Sequence, residues 1–163
     1  MKLEINFLKI LFKATIIILL LASKVSANEI GSDFNNELQN YNSKLTIFNK
    51  KNNQIAEFKV LRAVTREEKS YGLMNLAKLD SKYGMIFIFP ESTIIDMWMK
   101  NTYIPLDMIF IDENNQIINI QENTKPHSLE IISSGEKAIK VLEINANLVD
   151  KFNIEIGHKV NLQ

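Results

Sequence analysis

A tryptophan, a cation, an amide and a hydroxyl group stand together in the segment Trp98-Met99-Lys100-Asn101-Thr102. Because side chains alternate between the two faces of a strand, Trp98 and Lys100 are predicted to share one face and Met99 to occupy the other. An accessible indole beside hydrogen-bond donors is typical of a site for a small planar or sugar-like ligand. The alternative is a core tryptophan, with Asn101 and Thr102 stabilising the turn that follows.

Two carboxylates stand within apolar stretches, Asp107 in the run 106–111 and Glu143 in the run 139–144. A carboxylate in such surroundings must be hydrogen-bonded, paired with a cation or shifted toward its neutral form. If both faced one cleft, Asp107 and Glu143 could serve as the general acid and base of a hydrolase. The alternative is two structural roles, with backbone N–H donors near Pro105 for Asp107 and a Lys or Arg partner for Glu143. Asp107 also completes the candidate ligand-binding set of Trp98, Lys100, Asn101 and Thr102, which Glu143 could extend.

Other kinds of catalytic or metal site find no support in the sequence. The chain has no Cys, which excludes disulfides, thiolate zinc sites and cysteine nucleophiles. Its two histidines, His127 and His158, lack metal-ligand spacing and are expected to be solvated. No Gly-x-Ser-x-Gly elbow, phosphate-binding loop or dinucleotide fingerprint is present. We therefore expect neither a metal nor a cofactor.

The first 27 residues have the layout of a secretory signal. Lys2, Lys9 and Lys13 give a positively charged start, and an apolar run over 14–22 follows them. Val25-Ser26-Ala27 then places modest or small residues at the two positions that a signal peptidase recognises. We predict cleavage after Ala27 and export, with the periplasm as the expected destination. A helix that spans a membrane needs about 20 apolar residues, whereas the run over 14–22 has nine. We therefore expect no stable membrane span after cleavage. The alternative is an anchor formed by the uncleaved N-terminal segment.

Composition indicates an ordinary globular protein. The chain has 19 basic and 19 acidic residues and is 46% apolar, which excludes a disordered protein, a collagen-like fibre and a basic nucleic-acid arm. Without residues 1–27 the counts are 15 basic and 18 acidic, a net charge of −3. Such a chain gains nothing from counterion release on a polyphosphate, so nucleic acid is not an expected partner.

The chain is predicted to consist of a signal peptide over 1–27, a flexible lead over 28–42 and a single domain over 43–163. Apolar runs separated by turns predict six to eight short strands and two short helices in the domain. The connections are too short for repeated βαβ crossovers. The expected fold class is therefore α+β, with a mostly antiparallel, curled or barrel-like sheet.

Local signals place three of the element boundaries. The run Thr65-Arg66-Glu67-Glu68 has the form of a capping box and predicts a helix from 66 to about 74. Gly72 inside that range suggests either close packing against the sheet or an early helix end. Pro90 is expected to end the strand formed by the apolar run 84–89. Asn145 can cap a second short helix that ends near residue 152.

Four stretches, over 63–74, 84–89, 98–112 and 141–146, together carry a resemblance to a known family. In this order, and followed by Gly157, they are similar to the uncharacterised DUF192 family, also called UPF0127, whose members are often exported bacterial or archaeal proteins. The resemblance covers about residues 55–163, and its most specific parts are Gly72-Leu73-Met74 and the stretch from Trp98 to Asp107. It implies a fold but no established activity.

This chain departs from the family's pattern at three positions. Leu76 stands where an Arg is usual, Asn147 where a Gly is usual and His158 where an Asp is usual. Asn tolerates the left-handed conformation that a Gly would adopt, so the change at Asn147 is mild. The loss of the Arg matters if that residue served a pocket.

Three functions are compatible with these observations. The leading hypothesis is a small exported ligand-binding or accessory domain without strong catalytic machinery, with its site near Trp98 to Asp107. A hydrolase that uses Asp107 and Glu143 is the second. The third is a domain that binds a protein partner through an exposed sheet edge.

Overall fold

The computed structural model describes residues 43–163, so the predicted signal peptide and lead lie outside the described residues. Within this range seven strands and two helices follow one another along the chain. They are β1 (Ser43–Phe48), β2 (Gln54–Ala63), α1 (Arg66–Tyr71), β3 (Tyr83–Met97), β4 (Leu106–Ile111), β5 (Ile117–Gln121), β6 (Ile132–Asn145), α2 (Leu148–Phe152) and β7 (Lys159–Leu162). None of the helices described here is both long enough and apolar enough to cross a membrane.

The seven strands form one curled sheet with the order β5-β4-β6-β3-β2-β1-β7. Neighbouring strands are antiparallel except for β2 and β3, which run parallel. The two ends of the sheet meet, because Gln116 and Lys159 form a β-bridge and the Ile117 N–H donates to the His158 carbonyl at 2.9 Å. The predicted α+β class with a mostly antiparallel, curled sheet is confirmed.

Both faces of the central strands are covered, which explains their continuous apolar runs. One cluster lies on the concave side and includes Leu45, Phe58, Ile109 and Leu142. A second cluster lies on the opposite face of β3, β4 and β6 and includes Phe87, Met108, Phe110 and Val141. The polypeptide from α1 to β3 and from β3 to β4 contributes Leu73, Leu79 and Met99 to this second cluster. The segments that carry the candidate site are therefore packed on the second cluster, on the outer face of the sheet.

Helix α1 begins where the capping box predicts. The Glu68 N–H donates to Thr65 Oγ1 at 3.1 Å, and the Thr65 N–H donates to Glu68 Oε2 at 2.8 Å. Backbone N–H donors at Thr65 and Val64 hold the pKa of the Glu68 carboxyl below its usual value. The helix ends at Tyr71, earlier than predicted, since Gly72 takes a positive φ of 51°. A side chain at Gly72 would also lie 3.1 Å from the Phe87 ring, so both suggested reasons for this glycine apply.

Pro90 does not end a strand. Strand β3 continues through it to Met97, although the pairing of β3 with β6 is irregular between Ile88 and Thr93. Proline has no N–H to donate, and at this irregularity the ladder loses no hydrogen bond.

Candidate functional site

Trp98 lies at the surface beside a cleft of about 340 Å³, which we call the Trp98 cleft. Helix α1 forms one wall with Arg66 and Tyr71, and β3 with the residues after it contributes Phe87 and Trp98. The carboxyl-bearing side chain of Glu143, from β6, also lines the cleft. An adjoining hollow of about 460 Å³ shares Arg66, Tyr71 and Trp98 with the cleft.

The segment from Trp98 is not a strand, because β3 ends at Met97 and a turn follows, but the predicted alternation of exposure between Trp98 and Met99 is observed. Trp98 is 44% exposed, whereas the Met99 side chain is fully buried in the second cluster. The Met99 N–H donates to the Ser128 carbonyl at 3.0 Å, and Thr124 Oγ1 donates to the Met99 sulfur at 3.2 Å. Met99 is thus fixed in the core, and its anchoring turns the neighbouring Trp98 toward solvent. A tryptophan sealed in the core, the alternative considered from sequence, is not what the structure shows.

Lys100 and Asn101 extend the site into the adjoining hollow. The Lys100 ammonium lies 5.2 Å from the centroid of the Trp98 ring, within the range of a cation–π contact. Asn101 adopts a positive φ of 54°, and its carbonyl accepts the Asn75 N–H at 2.9 Å. Tyr103 Oη donates to Asn75 Oδ1 at 3.2 Å. These bonds join the loop that follows α1 to the loop that follows Trp98, and so hold the two walls together.

Thr102 lines the Trp98 cleft, but its own polar groups serve the turn. Its side chain is buried, its hydroxyl donates to the Lys100 carbonyl at 3.3 Å, and its N–H donates to the Met99 carbonyl at 3.1 Å. Thr102 therefore both stabilises the turn and lines the cleft, so the two roles considered from sequence are not exclusive.

Asp107 is separate from the Trp98 cleft. Its side chain is completely buried on the concave face of β4, where Oδ1 accepts the Asn123 N–H and Oδ2 accepts the Val149 N–H, each at 2.9 Å. The second bond satisfies an N–H in the first turn of α2, a group that a helix leaves without an internal partner. Asp107 thus has the structural role considered from sequence, that of a carboxylate that accepts backbone N–H bonds. Its donors are Asn123 and Val149, not residues near Pro105.

Glu143 lies on the opposite face of the sheet from Asp107. In the register of β4 and β6, Asp107 pairs with Ile144 and Met108 pairs with Glu143, and successive side chains of a strand point to opposite faces. The structure therefore does not bring the two carboxylates into one cleft. The hydrolase hypothesis, which needs both carboxyl groups at one substrate, is wrong on this geometry.

The surroundings of Glu143 are apolar. Its cross-strand neighbours are Met85 on β3 and Met108 on β4, and both methionines are buried. The side chain is only 4% exposed, and burial raises the pKa of the Glu143 carboxyl to about 8. The Lys or Arg partner considered from sequence is not found within residues 43–163, and no hydrogen bond to this carboxyl group occurs there.

Sequence reasoning did not identify the contribution of α1 to the site. Arg66, Ser70 and Tyr71 line both the Trp98 cleft and the adjoining hollow. Their only signal was membership of the stretch 63–74 that resembles the family's opening motif. Nothing in that stretch shows from sequence alone that it packs next to a tryptophan 27 residues after Tyr71.

In the part of the chain that the structure describes, His, Cys, Asp and Glu form no group of three or more that could hold a metal ion. The expectation that both histidines are solvated is wrong for His158. That side chain is 5% exposed, and its Nδ1 accepts the Glu155 N–H at 3.2 Å. His127 remains exposed, and its ring lies 5.1 Å from that of Tyr103.

Two solved structures resemble this fold closely. A Sinorhizobium meliloti 1021 protein described as a "putative transcription regulator" is 35% identical, with a TM-score of 0.71 over 73% of this chain and 92% of that chain. A Novosphingobium aromaticivorans DSM 12444 protein of unknown function is 31% identical, with a TM-score of 0.69 over 72% of this chain and 83% of that one.

Comparison with curated proteins gives no match. The model of the DUF192 family, described as "Uncharacterized ACR", matches residues 47–162, which contain strands β2 to β7, both helices and the Trp98 cleft. The chain therefore belongs to the DUF192 family, as its motifs indicated.

Proposed function

We propose that this protein is a small exported ligand-binding domain whose site is the Trp98 cleft, and that its ligand carries a planar or sugar-like ring. The observation that carries the proposal is the 44% exposure of Trp98 at the wall of a 340 Å³ cleft. Small-molecule sites have volumes of about 300 to 1,000 Å³ and combine apolar walls with a few polar groups. The Trp98 cleft has both features.

The walls and the rim supply complementary chemistry. Trp98, Tyr71 and Phe89 present aromatic surface to the cleft, and such surface stacks against planar rings or the apolar face of a sugar. Polar groups at the rim, among them Ser70, can then fix the orientation of the ring. Asp107 is no longer part of the proposed site because its two oxygens are already hydrogen-bonded on the other face of the sheet.

Intrinsic fluorescence gives a direct test, since Trp98 is the only tryptophan of the chain. Monosaccharides, cell-wall fragments, short peptides and planar ring compounds are titrated against its emission. We expect at least one ring compound to change the emission saturably. Calorimetry with that compound should show loss of binding in Trp98→Ala but not in Ile94→Ala, which removes an exposed side chain outside the cleft. Equal binding by both variants would contradict the proposal.

The description of the Sinorhizobium meliloti relative points to nucleic acid as a competing partner. The net charge of −3 for residues 28–163 argues against it, because phosphate contacts need clustered cations. In a gel-shift assay at low salt we expect no binding to double-stranded DNA. A salt-sensitive shift would favour a regulator over the proposed binding domain.

Export is proposed from residues 1–27 alone. Mass spectrometry of the protein recovered from a periplasmic fraction should give a chain that begins at Asn28. Recovery of the intact N-terminus with the membrane fraction would favour the anchor instead.

A further inference from the structure

One carboxyl group in the Trp98 cleft has no partner of its own. Glu143 is 4% exposed and lines the cleft, and among the described residues nothing hydrogen-bonds or ion-pairs with it. Among the described residues no fully buried side-chain oxygen lacks a hydrogen-bond partner, so the unbonded Glu143 carboxyl must still reach the solvent of the cleft. Such a group at the wall of a cleft is a place where a ligand can supply the missing hydrogen bond.

The carboxyl group of Glu143 is available as a hydrogen-bond donor. Between the buried side chains of Met85 and Met108, the charged form is destabilised by desolvation, and the pKa of Glu143 rises to about 8. At neutral pH the group therefore holds its proton. A protonated carboxyl donates one O–H and accepts through its other oxygen.

Charged groups in the lining of the Trp98 cleft favour negative charge in the ligand. Helix α1 contributes Arg66 and Lys69, and β3 contributes Asp96 to the cleft lining. Two tyrosines are the remaining titratable groups, Tyr71 of α1 in the lining and Tyr83 on the same face of β3 as Met85. The remaining lining residues, from the loop after α1 and from the Trp98 segment, are uncharged. The β4 neighbour of Glu143, Met108, is uncharged as well. With Glu143 neutral, cations exceed anions in the lining.

The two cations differ in what they already bind. The Lys69 ammonium donates to the Val64 carbonyl and, at 3.1 Å, to the Ile88 carbonyl. The Arg66 guanidinium has no hydrogen-bond or ion-pair partner within residues 43–163, and it lines both the cleft and the adjoining hollow. Arg66 is therefore the free counter-charge at the site, and its planar fork suits a carboxylate.

We propose that the Trp98 cleft selects a small ring compound that bears a carboxylate, with Arg66 as its counter-charge and the Glu143 carboxyl as a hydrogen-bond donor to it. This inference rests on the proposed function, since it names the ligand class of the same site. The ring lies on the aromatic wall and the anionic group faces α1. The Asp96 carboxylate in the lining repels the negative charge of the ligand. Asp96→Asn should therefore strengthen binding of the acid several-fold.

The test uses rings of one shape and three charges. Glucuronate, glucose and glucosamine form one set, and benzoate, benzyl alcohol and benzylamine form the other, all titrated at pH 6 against Trp98 fluorescence. In at least one set we expect the acid to bind at least tenfold more tightly than the neutral compound, and the amine to bind most weakly. Arg66→Gln should remove the preference for the acid, so that the acid and the neutral ring bind with affinities within a few-fold of each other.

A pH series with the preferred acid tests the role of Glu143. Between pH 6 and 9 the acid's affinity should fall, most steeply above pH 8, because ionised Glu143 repels a carboxylate and no longer donates. Glu143→Gln retains a donor and should bind the acid within a few-fold at pH 6, without that fall. Glu136→Gln, an exposed position on the same strand, is the matched control and should behave like the parent protein.

The outcomes separate the two proposals. If no ring compound changes Trp98 fluorescence, the proposed function and this inference both fail. If neutral rings or amines bind best, or if affinity for the acid rises with pH, ligand binding stands and this inference is overturned. Carbon-13 NMR of the free protein gives a readout without ligand, and a Glu143 carboxyl that titrates near its ordinary value would overturn the inference by itself.

Discussion

Replacing Glu143 by Gln should remove a large pH dependence of folding stability between about pH 5 and pH 8. Burial raises the pKa of this carboxyl from 4.5 to about 8, whereas in the unfolded chain the group is solvated and ionises near 4.5. Below pH 4.5 both states hold the proton. As the pH rises above that value the unfolded state loses its proton first, so the folded state becomes progressively less favoured until Glu143 also ionises in it.

The size of the effect follows from the width of that window. Each pH unit between the two pKa values corresponds to about 1.4 kcal/mol. The window from pH 4.5 to about 8 therefore corresponds to a loss of about 5 kcal/mol, of which about 3 kcal/mol has occurred by pH 7. Domains of this size are stable by only about 5 to 15 kcal/mol, so the effect is readily measured.

Urea denaturation of the parent protein, Glu143→Gln and the control Glu136→Gln at pH 5, 6, 7 and 8 provides the assay. The Glu143→Gln substitution introduces a neutral amide, whose own cost does not change with pH. Relative to the parent, the free energy of unfolding of Glu143→Gln should therefore rise by about 2.5 kcal/mol between pH 5 and pH 7. A difference that stays constant within about 1 kcal/mol over this range would refute the reasoning. Glu136→Gln should show no comparable trend.

Three further substitutions test how the fold positions the site. Asp107→Ala leaves the buried Val149 N–H and the Asn123 N–H without their acceptor, and should cost about 2 to 5 kcal/mol in urea denaturation; a cost below about 1 kcal/mol would contradict the capping role. Gly84→Ala should cost more than about 2 kcal/mol in the same assay, because the added Cβ would lie 2.6 Å from the Glu143 carbonyl oxygen; unchanged stability would show that this approach is not tight. Thr65→Ala should lower thermal stability by about 1 kcal/mol through loss of the α1 cap, whereas Thr65→Ser should retain most of it; equal losses would exclude the hydroxyl as the cause.

Much of the fold could be predicted because its signals are local. The capping box at Thr65 needs only four consecutive residues, and it is present as predicted. Runs without a polar face at 84–89 and 106–111 indicated strands covered on both sides, and two apolar clusters do cover them. The opposite exposure predicted for Trp98 and Met99 is observed, although both residues follow the end of β3 and are not in a strand.

Predictions at longer range were less accurate. Asn145 does not cap α2, which begins at Leu148 after Asn147. The acceptor for that helix comes from Asp107, 42 positions before Val149. Such a contact depends on where two strands meet, and residue types alone do not specify it.

The sheet-edge hypothesis for a protein partner meets a similar constraint. The ends of the sheet, β5 and β7, are joined near Gln116 and Lys159, which shortens the backbone that is open to pairing. Sequence pattern shows which runs form strands, but the closure of the sheet decides how much edge remains.

The sequence by itself determined the α+β class, the start of α1 and the family, since each depends on neighbouring residues or on an ordered set of motifs. Tertiary structure alone decided that Arg66 and Tyr71 face Trp98, and that Asp107 and Glu143 lie on opposite faces of one sheet. The physical reason is register. A shift of one residue in the pairing of β4 with β6 would reverse the face of either carboxylate, and that register is set by the burial of both apolar clusters together.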